Sequence, residues 1–287
     1  MDTVTDAALS FRAMTPADLD QAYGLSMAVR WPHRREDWSA LLRLGQGFVA
    51  ESKGQIVGTT MLWPYGADAA SLGMVIVAED YQGQGIGRQL MNAALKAADG
   101  RTVQLNATDE GLPLYQKLGF VPVGAIHQHQ GSAFSMPVIE LGEGERLRPM
   151  GTSDRPALIQ LDTEVTGLER EGLYRAVFAK AKGIVIDCEG DIRGFALMRR
   201  FGRGYSIGPV IARDLNGAKA IISYWLGSNP GLFIRLDVTE ESGLTPWLDE
   251  AGLTQVGRVV TMKRAAVTKP ATDSSLKLFA ITSQALG

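Results

Sequence analysis

The chain has 287 residues, 45% of them apolar and 21% charged, which suits sizeable cores and more than one domain of ordinary size. Its 29 basic and 31 acidic residues give a formal net charge of −2 with no long run of either sign, which argues against a nucleic-acid or anionic-membrane partner. No apolar run nears the roughly 18 to 20 residues of a membrane span. The N-terminus lacks the basic-then-apolar shape of a signal peptide, and the lone Cys188 excludes an intramolecular disulfide or a cysteine-rich metal site. A cytoplasmic protein without a metal is expected.

Along the chain, Gly54-Gln-Ile-Val-Gly58 reads as the turn and return strand of a hairpin. Met74 to Val77 reads as a buried strand, and Leu90, Ala93, Ala94 and Leu95 follow a helical period. Between them lies Gln82-Gly83-Gln84-Gly85-Ile86-Gly87, a strand-to-helix turn. Its glycines allow positive φ and close approach of a ligand, and the helix N-terminus offers unpaired N–H groups and a positive dipole end. Such a turn is built to hold phosphate. It is not a P-loop, because Arg88 and Gln89 stand where Lys and Ser or Thr are required. It is not a dinucleotide fingerprint either, because Arg88 occupies the place of the third glycine. Val103 to Ala107 reads as the next strand, followed by Gly111-Leu-Pro-Leu-Tyr-Gln-Lys-Leu-Gly-Phe120. In that segment Leu114 and Leu118 share a helix face, Gly119 ends the helix, and Phe120 starts another strand.

Gln/Arg-x-x-Gly-x-Gly after a strand, followed by a short helix carrying Leu-Tyr and ending at Gly-Phe, resembles the two signatures of the GCN5-related N-acetyltransferases (GNAT family). The resemblance implies an α/β fold for residues 8 to 142, with a central, mostly antiparallel mixed sheet flanked by helices, and acetyl-CoA as cofactor. It further implies that the backbone of Val75, Ile76 and Val77 pairs with the pantetheine arm, one N–H polarising the thioester carbonyl. The N–H groups of Gln82, Gly83, Gln84, Gly85, Ile86, Gly87 and Arg88 are implied to hold the pyrophosphate. Tyr115 stands where the family has its tyrosine near the sulfur, and a phenol can stabilise or protonate the departing thiolate. Asn106 is placed either to bond the pantetheine amides or to satisfy a strand end.

The chain also contains itself twice. Phe11-Arg-Ala-Met14 with Asp18 recurs as Leu147-Arg-Pro-Met150 with Asp154, and Gly54-Gln-Ile-Val-Gly58 recurs as Gly190-Asp-Ile-Arg-Gly194. Ser71-Leu-Gly73 with Val75 matches Ser206-Ile-Gly208 with Val210, and Gly119, Phe120 and Gly124 match Gly252, Leu253 and Gly257. Four segments in one order at nearly constant offset imply duplication of a whole domain. The second copy, residues 145 to 265, keeps one glycine where the first has three, and Trp247-Leu248 replaces Leu114-Tyr115. It reads as a degenerate domain that holds no CoA. Residues 266 to 287 read as a polar segment and then a docked strand, because Leu278, Phe279 and Ile281 would otherwise be exposed.

The family does not fix the base that takes the proton of the acceptor amine. Histidine titrates nearest neutral pH, and the chain has His33, His127 and His129. His33 follows the first helix, in a region that borders the acceptor site in this family, with Trp31 and Trp38 as pocket walls or core caps. In an extended stretch, His127 and His129 share one face and Gln128 and Gln130 the other. The expected reaction is direct acetyl transfer to a small-molecule amine by a monomer or homodimer. The alternatives are a non-catalytic CoA-binding sensor or scaffold, and transfer to a hydroxyl or a protein lysine.

Overall fold

The computed structural model describes residues 9–132, 136, 138–264 and 275–287. The first half runs β1 (Ser10–Ala13), α1 (Leu19–Ala28), α2 (Arg35–Leu44), β2 (Gln46–Ser52), β3 (Gln55–Tyr65), β4 (Ala69–Val77), α3 (Ile86–Ala97), β5 (Thr102–Ala107), α4 (Leu112–Lys117) and β6 (Val121–Gly131). The second half repeats that order as β7 (Glu145–Pro149), α5 (Arg155–Thr166), α6 (Glu171–Phe178), β8 (Lys182–Cys188), β9 (Asp191–Phe201), β10 (Gly204–Ala212), α7 (Leu215–Gly227), β11 (Ile234–Thr239), α8 (Thr245–Glu250) and β12 (Thr254–Arg264). A short strand, β13 (Lys277–Ala280), follows. The polar stretch expected over 266 to 275 lies outside the described residues apart from Ser275.

Local chemistry repeats with the sequence. Both β2–β3 and β8–β9 turn on two residues of positive φ, Lys53 and Gly54 at 52° and 77°, Glu189 and Gly190 at 53° and 97°. That pairing matches the right-handed twist of a hairpin. Arg12 bridges Asp18 and Glu51, each at 2.7 Å, and Arg148 bridges Asp154 at 2.7 Å and Asp187 at 2.9 Å. Each arginine ties the first strand of its half to the following turn and to the neighbouring strand. The hydrogen bonds from Arg12 hold Asp18 down at about 2, and those from Arg148 lower Asp154 in the same way.

The strands of the two halves do not stay apart. One thirteen-stranded sheet has the order β1-β2-β3-β4-β5-β12-β6-β11-β13-β10-β9-β8-β7. β12, the last strand of the second copy, pairs antiparallel with β5, Val260 opposite Ala107 and Met262 opposite Leu105. β6, the last strand of the first copy, pairs with β11, Leu236 opposite His129. β12 and β6 also pair with each other over most of their length. The copies have exchanged their final strands, and the exchange joins two sheets into one.

Helices α1, α2, α5 and α6 cover one face and share a single apolar core across both halves, including Trp38 and Leu41 of α2, Leu173 and Val177 of α6, and Leu286. Helices α3 and α4 cover the opposite face of the first half, and α7 and α8 that of the second. Among the described residues no helix is long and apolar enough to cross a membrane.

A chain ending at Glu143 loses β12 from beside β5 and loses the α5–α6 side of the shared core. Unpaired strand edges and uncovered apolar surface both favour aggregation. Such a fragment is expected to elute as aggregates in size-exclusion chromatography and to lack cooperative thermal unfolding. A monodisperse fragment with the melting temperature of the full chain would show the exchange to be dispensable.

Candidate active site

Two gaps open in the sheet, one in each half. β4 and β5 pair in parallel only from Ala69–Thr102 to Ser71–Gln104 and then separate. β10 and β11 likewise pair only at Tyr205–Ile234 and Ser206–Arg235. In β4 the separation coincides with a bulge, where the register against β3 shifts between Thr59 and Met61. Met74 sits there at φ 54°, and the Thr59 hydroxyl donates to its carbonyl at 2.8 Å. Val75, Ile76 and Val77 follow and border the open gap.

Beyond β4 the chain enters the glycine turn. Gly83 and Gly85 have φ of 75° and 79°, and a Cβ on either would meet no atom within 4 Å. The glycines are there for backbone conformation and for an open surface, not because the protein crowds them. The Gln82 and Gln84 amides brace the turn by donating to the carbonyls of Val77 and Asp80 at 3.2 and 3.3 Å. Gln89 N–H donates to the Gly85 carbonyl at 3.1 Å, as the first bond of α3. The N–H groups before it are the ones a helix leaves free. Gly87 serves packing instead, since a Cβ there would lie 3.3 Å from the Leu114 side chain. The turn and the gap together fit a phosphate-bearing, strand-like ligand.

The second half is closed at both places. β13 fills the gap, its Ala280, Leu278 and Lys277 opposite Val210, Ile211 and Ala212 of β10 and its Ala280 opposite Val238 of β11. Val210 to Ala212 are the counterparts of Val75 to Val77 at the offset of the Ser71–Ser206 match. At the N-terminus of α7, the Asp214 carboxylate accepts from Gly217 N–H at 2.8 Å. The protein's own strand and its own anion stand where the first half is open.

A cavity of about 770 Å³ lies at the junction, lined by α2, β4, β5 and Tyr115 from the first half and by α6, the end of β9, β11, β12 and residues 283 to 286 from the second. Tyr115 is buried, with its ring 6.1 Å from that of Phe120. A Cβ on Gly111 would come within 2.7 Å of the Tyr115 ring, so Gly111 makes room for it. Burial pushes the phenol up to about 12, which keeps it protonated near neutral pH.

The segment before α2 forms the opposite wall. Asp37 accepts from the Arg34 N–H at 2.9 Å and from the Gly202 N–H at 3.1 Å, which docks the β9–β10 turn on the start of α2. Gly202 has φ 52°, and a Cβ there would come within 2.7 Å of the Pro32 carbonyl. Trp31 and His33 line the cavity from this wall. His33 stands 5.5 Å from the Phe201 ring, edge on, and its buried Nδ1 has no hydrogen-bond partner. Burial first, and then the Arg235 charge, lower His33 to about 4, so it is neutral at physiological pH.

One sequence expectation is corrected here, and two with open alternatives each take one of them. His127 and His129 do share a face of β6, but that face packs on α8, while Gln128 between them lines the cavity. His127 Nδ1 meets the Thr245 hydroxyl at 3.1 Å, and the fully buried His129 donates from Nδ1 to the Leu253 carbonyl at 2.8 Å. Neither reaches the site. Trp38 is a core residue, fully buried, with its indole N–H donating to Ser26 at 3.0 Å. Asn106 lines the cavity, but its amide donates to the Gln284 carbonyl and accepts from Thr261, both at 2.8 Å. It knots three segments together. Sequence reasoning missed Arg199 and Phe201, whose only signal is a charged and an aromatic residue ending an otherwise buried strand. Among the described residues no cluster of acidic, histidine or cysteine side chains could hold a metal.

Residues 43–122 and residues 158–279 each match a family described as an acetyltransferase (GNAT) domain. The chain carries two GNAT acetyltransferase domains in tandem. It is 28% identical over 263 residues to the uncharacterized N-acetyltransferase YitH of Bacillus subtilis (strain 168), covering 90% of this chain and 91% of that one. The fold is also that of a putative acetyltransferase from Pyrococcus horikoshii, with TM-score 0.78 and 20% identity over 100% of this chain and 99% of the other. A tandem GNAT protein from the clavulanic acid biosynthesis pathway superposes with TM-score 0.65 at 17% identity, covering 92% of this chain and 100% of its own.

The low value of His33 has a consequence for acid stability. A histidine whose proton affinity falls on folding costs stability as pH drops, because the unfolded chain takes up the proton first. The penalty grows from about pH 6.5 down to about 4 and is constant below that. Thermal melts of His33→Gln are therefore expected to lose less stability than wild type across that window. Parallel curves would show that His33 titrates normally in the folded chain.

Proposed function

We propose that the first half transfers the acetyl group of acetyl-CoA to a small-molecule amine within one complex holding both substrates, and that the second half binds no CoA. The observation that carries this reading is the contrast between the gaps. The β4–β5 gap, with its glycine turn, is open, while its duplicate is filled by β13 and capped by Asp214. A ligand that pairs like a strand and ends in phosphates suits the first and is excluded from the second.

Acetyl-CoA supplies an activated thioester when bound. The backbone of Val75 to Val77 would hold its pantetheine arm, and the N–H groups from Gln82 to Arg88 its pyrophosphate. His33, neutral and with a free ring nitrogen, accepts a proton from the amine as the new C–N bond forms. Tyr115, protonated near neutral pH, would give its phenolic proton to the departing sulfur. Both residues then return to their resting states by proton exchange with water. Direct transfer is favoured because the cavity contains no cysteine among the described residues. Cys188 sits at the end of β8, away from it.

The primary test is calorimetry with acetyl-CoA, expected to give one site per chain, followed by release of CoA thiol across a panel of amines. Absence of binding would remove the reading, and binding without turnover on any amine would favour a sensor. Gly85→Glu adds a negative side chain where the turn is open and strains a left-handed backbone position. It is expected to abolish acetyl-CoA binding in the calorimeter while circular dichroism stays unchanged. Tyr115→Phe should lower kcat by roughly 10- to 1000-fold, the scale of losing a general acid, with little change in acetyl-CoA affinity. An unchanged kcat would reduce Tyr115 to a packing residue.

A further inference from the structure

The cavity wall contributed by the second half is strongly cationic. Seven arginine and lysine side chains line the cavity against two carboxylates, Glu36 and Asp37. Several of these cations are already matched. Arg34 pairs with Asp37 at 2.6 Å, Arg235 with Asp237 at 2.9 Å, and Arg258 with Glu240 at 3.0 Å. Arg199 is different. It makes no ion pair among the described residues, and its one hydrogen bond is from Nη2 to the Thr282 carbonyl at 2.7 Å. Its guanidinium lies over the Phe201 ring at 5.3 Å, and that of Arg235 lies over the same ring at 5.5 Å.

Two guanidinium groups therefore meet on one aromatic ring, and among the described residues Asp237 is the only carboxylate ion-paired to either. Burial lowers Arg199 to about 10, so it still carries its charge near neutral pH. Asp37 and Asp237 favour its charge only from a distance, without an ion pair among the described residues, and the cavity beside it is where a directly bonded counter-ion can enter. His33 meets the edge of the same Phe201 ring. The excess charge thus stands beside the group assigned to take the amine proton.

Resting on the acetyltransferase reading above, we propose that the acceptor amine carries an oxyanion, a carboxylate or a phosphate, which Arg199 binds as its missing counter-ion. Guanidinium presents a planar fork of donors that matches either group. The same charge disfavours polyamines and other acceptors whose remaining groups are cationic. The pocket is then selective for amines of amino-acid or phosphorylated amino-sugar type.

The test measures binding to the full chain saturated with CoA, using pairs that differ only in the oxyanion. Phenylalanine is compared with phenethylamine, and glucosamine 6-phosphate with glucosamine. At least one charged member is expected to bind about tenfold or more tightly than its uncharged counterpart, and Arg199→Gln should erase that difference without changing the affinity for CoA. Which pair shows the preference tells carboxylate from phosphate. Equal affinities within both pairs overturn the proposal in the wild-type chain alone, so it stays testable even if the variant misfolds. A preference that survives Arg199→Gln also overturns it, leaving Arg199 as an anchor for Thr282. An anion preference without release of CoA thiol would support this proposal and count against the acetyltransferase reading.

Discussion

Backbone N–H and C=O groups along a gap between two strands must find partners, and this constraint organises the whole sheet. The duplicated domain opens its sheet at the same place in both halves. In the second half the chain answers with its own β13, placed between β10 and β11. In the first half β4 and β5 are left apart, and the bulge at Met74 keeps them so. One architectural feature thus has two outcomes, a sealed seam and a cleft, and what separates them is which segment lies in the gap.

The segment that seals the second gap also builds the first site. After β13 the chain crosses to the other half, where the Tyr65 hydroxyl donates to the Leu286 carbonyl and the Ser71 hydroxyl to the Ala285 carbonyl, each at 2.7 Å. Arg170, fully buried and paired with Asp162, reaches the Leu286 carbonyl at 3.4 Å. Breaking such a buried pair from one side leaves an uncompensated charge, which costs about 3 to 5 kcal/mol. The floor of the cavity is therefore held by bonds from β3, β4, β5 and α5–α6 together. The half whose gap is sealed thus helps to set the shape of the half whose gap is open.

Much of this was legible in the sequence, because much of it is local. The glycine turn, the helix carrying Tyr115 and the repeated hairpins are each written within a few residues. The duplication shows because the same local rules recur at a constant offset. The exchange of β6 and β12 leaves no local trace, since a strand's alternation does not name its neighbour. For the same reason alternation grouped His127 with His129 correctly yet could not tell the cavity face of β6 from the α8 face. Arg199 escaped because what sets it apart is the absence of an ion pair among the described residues, which is visible only in three dimensions.

The strand exchange bears on how the chain is made. Domains of a nascent chain generally fold as units, the N-terminal one first. Here β5 emerges early, but its neighbour β12 is synthesised only after almost the whole second copy. During that interval the β5 edge that β12 will cover has no such neighbour. Completing the sheet means setting β12 between β5 and β6 and pairing β6 with β11 on its other side. The centre of the sheet therefore cannot be completed until the end of the second copy has been made, and the cavity lined in part by β12 and residues 283 to 286 waits on the same segment.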